Sequence, residues 1–238
     1  SALVGATGNH MDYLPYLTEM GAADEKDDVF AANCYCPIHN IEHADMAYEW
    51  QFCGINTYAG SVRRGSGVMN EKQIALSAEL KAAFPAYVNS LGLKKANGER
   101  LTLDEQGNGN FKELVRECLV HSAQIELDTT DSYGRLNKLA VSGLNVKEVE
   151  GIEIEHGFVR TIDFEAYIRK LGRMKYTPAF DSLDMVGPEN EVLGTEERNA
   201  SHFTESSMKN SEVVESYMAA SERIRMLNPL NYIGGEGT

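Results

Sequence analysis

A proline at residue 37 separates an apolar run from a segment rich in histidine and acidic side chains. Residues 29–36 read VFAANCYC, and an apolar run of this length that stops at a proline predicts a buried β-strand. The pattern of residues 41–52 predicts a helix. Asp45 and Glu49 would lie one turn apart on this helix and are interpreted as surface carboxylates. The chain is therefore expected to pass from a buried strand into a helical region within a few residues.

Two longer helices are predicted from their capping residues. Asn70, with a glutamine three residues later, forms a capping box for residues 71–91, and Pro85 should kink this helix. Asn110, with a glutamate three residues later, forms a second capping box for residues 111–127. The middle of the sequence is therefore predicted to be mainly helical.

A small sheet and two further helices are predicted in the second half of the chain. Residues 139–161 alternate in polarity and contain three glycines, which favours short strands with a turn at the last glycine. Asp163 is predicted to cap a helix over residues 164–171, and Ser211 a helix over residues 213–227.

The composition excludes several classes of protein. With 22 Lys and Arg against 36 Asp and Glu, the net charge is −14, which argues against nucleic acid or an anionic membrane as a partner. The sequence shows no apolar stretch long enough for a membrane span and no signal peptide, so a soluble chain is expected. The four cysteines contain no C-x-x-C pair and are interpreted as reduced thiols, which favours the cytoplasm over secretion.

A possible metal site occurs in residues 39–43, which read HNIEH and match the H-x-x-E-H pattern. On a helix, His39 and His43 would share one face, where two neutral imidazoles can bind a zinc ion that activates water. No third ligand is singled out downstream, so a structural histidine pair is favoured and no metal or other cofactor is expected. A zinc-dependent hydrolase remains one alternative function, and a non-catalytic acidic helical binding module is another.

Five basic residues lie close together near the predicted helix over residues 164–171. They are Arg160, Arg169, Lys170, Arg173 and Lys175. Most of them are interpreted as a solvated helix face whose positive charges complement the helix dipole. Lys175 differs because it follows the predicted end of the helix and precedes a long loop that contains Glu189.

Three segments carry a resemblance to a known family. Residues 35–52 read YCPIHNIEHADMAYEWQF, residues 173–194 read RMKYTPAFDSLDMVGPENEVLG, and residues 228–233 read NPLNYI. In this order they resemble the bacterial tannases, serine esterases of the α/β-hydrolase fold that hydrolyse galloyl ester bonds during tannin degradation. The similarity extends along nearly the whole chain.

The resemblance implies a fragment of an α/β-hydrolase. Residues 1–37 would supply one helix end and one strand of the catalytic core, and residues 229–238 would return towards that core. Residues 38–228 would form a mainly helical lid, or cap, domain with a small β-sheet. The G-x-S-x-G nucleophile motif of this fold does not occur in the sequence. The catalytic Ser, Asp and His are therefore expected outside this chain, which alone is predicted to be inactive.

The resemblance also implies a substrate-binding site. Tannases hold the galloyl ring with a lysine, a glutamate and flanking apolar residues, and the matching positions are Lys175, Glu189, Ile38 and Pro188. Each of the three ring hydroxyls can donate and accept a hydrogen bond, so one cationic donor and one anionic acceptor suit them. The implied partners are galloyl or other phenolic esters and the remainder of the hydrolase core.

Overall fold

The computed structural model describes residues 2–35, 37–60, 65–133, 147, 149–194, 199–211 and 217–233. These residues fall into two units. One unit joins the two ends of the chain, Ser1–Asp45 and Pro178–Thr238, and is called the terminal unit here. The other, called the middle unit, is Met46–Thr177.

Helices predominate in both units. They are α1 (Ala2–Thr7), α2 (Leu14–Glu19), α3 (Ala44–Phe52), α4 (Glu71–Ser90), α5 (Asn110–Tyr133), α6 (Phe164–Leu171), α7 (Pro188–Val192), α8 (Glu205–Asn210) and α9 (Tyr217–Leu227), followed by a 3-10 turn at Pro229–Asn231. Strands β1 (Thr57–Tyr58) and β2 (Gly67–Val68) pair antiparallel, as do β3 (Ile152–Glu155) and β4 (Phe158–Ile162). The expectation of a mainly helical chain with a small sheet is confirmed for the described residues.

The capping box at the start of α4 is confirmed. The side chain of Asn70 accepts a hydrogen bond from the Gln73 amide, and the Gln73 side chain accepts one from the Asn70 amide, both at 2.9 Å. Phe84 and Val88 on this helix are buried in the core of the middle unit, where they pack with Trp50. This core therefore forms around the face of α4 that carries Phe84 and Val88.

The capping box predicted at Asn110 is wrong. Asn110 is the first residue of α5, and its Oδ1 accepts a hydrogen bond from the Thr102 amide at 2.7 Å. Its Nδ2 donates to Glu99 Oε1 and to the Arg100 carbonyl, each at 2.8 Å. Asn110 thus secures the preceding loop, because contacts eight to eleven residues away replace the local contact that a capping box requires.

The predicted strands and turn before α6 are confirmed within the described residues. β3 and β4 form a hairpin that turns at His156 and Gly157, and Gly157 has a φ of 82°, which glycine adopts without strain. Asp163 accepts a hydrogen bond from the Ala166 amide at 2.8 Å and caps α6, as predicted. The first part of the predicted range, residues 139–146, lies outside the described residues.

The buried strand predicted for residues 29–36 does not form in the part of this segment that the structure describes. Residues 29–35 have no strand pairing, and Val29, Phe30 and Tyr35 are exposed. Cys36 lies outside the described residues. A strand needs a neighbour for its main-chain hydrogen bonds, and the described strands pair within their own hairpins. An apolar run predicts burial only where such a neighbour is present.

The terminal unit has its own apolar core. Leu193, Phe203 and Ile224 are buried there, and Ile41 and Phe180 pack against them. The start of the helix predicted over residues 213–227 lies outside the described residues, and α9 covers the rest of that range. None of the described helices is long and apolar enough to cross a membrane.

Candidate functional site

The four residues matched to the galloyl-binding positions lie in different parts of the fold. Lys175 belongs to the middle unit, follows the end of α6 and is exposed. Ile38, Pro188 and Glu189 belong to the terminal unit, where Ile38 and Pro188 are exposed and Glu189 is half-buried. All four are thus at least partly open to solvent, as residues that bind a small molecule must be.

Helix α7 carries both Pro188 and Glu189. Pro188 is its first residue, a position at which proline costs no hydrogen bond. The helix is held by Asn190, which is fully buried. The Asn190 side chain donates to Asp181 Oδ1 at 2.7 Å and to the Ser201 carbonyl at 2.9 Å, while its Oδ1 accepts from the Ser182 amide at 3.2 Å. Glu189 therefore lies beside a firmly bound residue.

Asp181 organises the loop on either side of α7. Its Oδ2 accepts hydrogen bonds from the amides of Phe203 and Thr204, at 2.8 and 2.7 Å, and from the Thr204 hydroxyl at 3.0 Å. Its Oδ1 lies 2.8 Å from His202 Nδ1, and both side chains are fully buried. His202 is therefore buried against a carboxylate that also binds Asn190 in α7 and Thr204 after it.

Asp45 is buried, so its interpretation as a surface carboxylate is wrong. Its side chain is 1% exposed and accepts hydrogen bonds from the amides of Phe180 and Asp181, at 2.7 and 3.0 Å. Burial raises the pKa of Asp45 to about 6, and the nearby charge of Asp181 acts in the same direction. Helical spacing indicated a shared face with Glu49 but not which face is buried.

Glu49 and Arg173 form a buried ion pair in the middle unit, which corrects two further expectations. Glu49 was interpreted as a surface residue and Arg173 as part of a solvated face, yet both side chains are fully buried. Glu49 also accepts hydrogen bonds from the hydroxyls of Thr177 and Ser77. Arg173 and the hydroxyl of Tyr48 together hold the main chain of Lys175. The remaining basic residues, Arg160, Arg169 and Lys170, are exposed as predicted.

The H-x-x-E-H pattern does not form the helix face that a zinc site requires. Helix α3 begins at Ala44, after both His39 and His43. His43 Nδ1 lies 3.0 Å from Asn40 Oδ1, and burial lowers the pKa of His43. Among the described residues, no three His, Cys, Asp or Glu side chains are grouped so that they could hold a metal ion. The helical geometry on which the zinc hypothesis rested is therefore wrong.

Comparisons with solved structures identify similar proteins. A tannin acyl hydrolase in complex with ethyl gallate is 42% identical, with a TM-score of 0.86 over 98% of this chain and 48% of its own. The native tannin acyl hydrolase from Lactobacillus plantarum is 40% identical, with a TM-score of 0.87 over 100% and 49%. A tannin acyl hydrolase in complex with 3,4-dihydroxybenzoate is 41% identical, with a TM-score of 0.84 over 99% and 48%.

This chain therefore spans about half the length of the structures that it matches. A scan of protein-family models and a search of curated protein sequences gave no match.

Proposed function

The chain is a relative of the tannases along nearly its whole length while spanning about half of theirs, and from this premise we propose that it is the substrate-recognition part of a tannase-like serine esterase. The observation that carries the proposal is the 42% identity to a tannin acyl hydrolase that binds ethyl gallate. The substrates would be galloyl or other phenolic esters, in line with the tannin acyl hydrolase complexes with ethyl gallate and with 3,4-dihydroxybenzoate. The protein that joins this chain to its catalytic half is called the complete enzyme below.

The roles of the two halves of the complete enzyme follow from the mechanism of serine esterases. A serine attacks the ester carbonyl, a histidine transfers the proton, and water then hydrolyses the acyl-enzyme. We assign these groups to the other half, because the sequence has no nucleophile motif. Residues 38–228 would act as the lid, and residues 1–37 and 229–238 would belong with the catalytic core.

The residues proposed to contact the ring are two of opposite charge and two apolar ones. Lys175 would donate to the ring hydroxyls and Glu189 would accept from them, while Ile38 and Pro188 would contact the ring faces. Their exposure supports this assignment. The buried Asn190 beside Glu189 and the anchored main chain of Lys175 further support it, since a recognition site gains from fixed geometry.

Hydrolysis by the complete enzyme tests this function. We expect kcat/KM for methyl gallate to exceed that for methyl benzoate by about tenfold or more, because only the gallate carries the hydroxyls that both charged residues would bind. A serine-directed sulfonyl fluoride should abolish both activities. Equal kcat/KM values for the two esters would contradict the recognition role, and resistance to the reagent would contradict the serine mechanism.

A further inference from the structure

Two side chains hold the main chain of Lys175. The hydroxyl of Tyr48 accepts hydrogen bonds from the amides of Met174 and Lys175, at 3.0 and 3.1 Å. On the other side, Nε of Arg173 donates to the carbonyl oxygen of Lys175 at 2.8 Å. These residues follow α6 and belong to no helix, so their polar main-chain groups depend on such partners. The main chain of Lys175 is thus held by side chains and lies outside the helices and named strands.

The oxygen atom of Tyr48 is itself held in place. Its ring packs against Phe52 with 4.6 Å between ring centroids, and the Arg173 guanidinium carbon lies 5.5 Å from its centroid. Tyr48 also packs on the core cluster that contains Trp50. A phenylalanine would keep these ring contacts, so the added contribution of tyrosine at this position is the hydroxyl group.

The second partner of Lys175 is equally constrained. The guanidinium of Arg173 is buried, pairs with Glu49, and donates to the Thr177 hydroxyl at 3.0 Å and the Ile55 carbonyl at 3.2 Å. The main chain of Arg173 is fixed as well, because its carbonyl accepts from the Ala59 amide at 3.0 Å. The two side chains that bind the main chain of Lys175, those of Tyr48 and Arg173, are therefore both anchored within the middle unit.

We propose that the hydroxyl of Tyr48 positions Lys175 and so sets the preference of the complete enzyme for hydroxylated acyl rings. This inference rests on the function proposed above, in which Lys175 binds the ring hydroxyls. Met174 and Lys175 are both exposed, so water can replace the lost acceptor when the hydroxyl is removed. Replacing Tyr48 with phenylalanine should therefore loosen the position of Lys175 more than it destabilises the fold.

The substitution Tyr48→Phe in the complete enzyme tests this role. We expect kcat/KM for methyl gallate to fall about three- to tenfold, and kcat/KM for methyl benzoate to change less than about twofold, because only the gallate needs a correctly placed Lys175. The control is Tyr167→Phe, since Tyr167 is also half-buried and packs on the same core. If Tyr48→Phe lowers kcat/KM for both esters equally, the cause is a general loss of packing, and this result would overturn the proposal.

A double substitution separates the role of Tyr48 from that of Lys175. The quantity compared is the ratio of kcat/KM for methyl gallate to kcat/KM for methyl benzoate. If Tyr48 acts through Lys175, Tyr48→Phe should lower this ratio in the wild-type enzyme. In an enzyme that already carries Lys175→Ala, adding Tyr48→Phe should leave the ratio unchanged. A reduced ratio in Lys175→Ala combined with an unchanged ratio in Tyr48→Phe would reject the positioning role and keep the proposed function. An unchanged ratio in Lys175→Ala would reject the proposed role of Lys175 in binding the ring hydroxyls, and with it the role of Tyr48.

Discussion

Asn190 donates a hydrogen bond from Nδ2 to Oδ1 of Asp181 over 2.7 Å, and both side chains are fully buried. Asp181 binds the amides of Phe203 and Thr204 with its other oxygen. The chain before and after α7 is therefore tied to one carboxylate. Glu189, which we assign to the substrate, is next to Asn190 in this helix.

Asn190→Ala should destabilise the protein by about 2–3 kcal/mol, because it removes a buried hydrogen bond to a charged group and leaves other buried partners of Asn190 unsatisfied. Urea unfolding of residues 1–238 measures the change. Glu191→Ala, at an exposed position in the same helix, is the matched control and should stay within about 0.5 kcal/mol of wild type. Similar midpoints for the two variants would show that the hydrogen bonds of Asn190 do not hold α7.

Asp45 should make stability depend on pH. The unfolded chain releases this proton near the ordinary aspartate pKa of 3.8, whereas the folded protein keeps it up to about pH 6. The folded state binds more protons between these values, so stability should fall as the pH rises from about 4 to about 6, by on the order of 3 kcal/mol.

Comparison with Asp45→Asn isolates this contribution. The free energy of unfolding of the variant, relative to wild type, should rise between pH 4 and pH 6.5, because asparagine does not ionise. Asp24→Asn, at an exposed position, controls for the loss of one negative charge. A constant difference between wild type and Asp45→Asn across this pH range would show that Asp45 does not titrate there.

Glu49→Gln should destabilise the protein by about 3 kcal/mol or more, because it leaves the buried charge of Arg173 without its partner. Chemical unfolding gives the value. Glu79→Gln removes the same charge from an exposed position of α4 and should have little effect. A small effect of Glu49→Gln would mean that Arg173 is compensated in another way.

Lys175→Ala and Glu189→Ala should each impair hydrolysis of methyl gallate by the complete enzyme more than hydrolysis of methyl benzoate. A lost charge-assisted hydrogen bond costs about 1.5–3 kcal/mol, which corresponds to a roughly tenfold to hundredfold lower kcat/KM. Lys170→Ala and Glu191→Ala, at exposed positions nearby in sequence, are the controls. Equal losses on both esters would assign Lys175 and Glu189 to folding or to the reaction in general.

Purified residues 1–238 should not hydrolyse methyl gallate faster than a heat-treated sample, because the sequence lacks the nucleophile motif. Release of gallate is measured over hours after successive purification steps. Activity that stays proportional to the amount of this chain would place a catalytic group within it.

Local sequence patterns predicted the elements whose contacts are local. The caps at Asn70 and Asp163 join residues three apart, and the hairpin turn at Gly157 depends on the φ that glycine permits. Such contacts join neighbours in sequence, although more distant contacts can replace them, as at Asn110, whose side chain binds Thr102, Glu99 and Arg100 instead. The resemblance, in turn, named Lys175 and Glu189 as ring-binding residues, an assignment that remains a proposal.

Only the tertiary structure decided which charged residues are buried. In sequence, Asp45, Glu49 and Arg173 look like surface residues, because charged side chains are rarely buried without a partner. The partner of Glu49 lies 124 residues away, and the amides that bind Asp45 lie 135 and 136 residues away. The free-energy cost of burying a charge is offset only when folding brings such partners together. A local sequence pattern cannot predict contacts between residues so far apart in the chain.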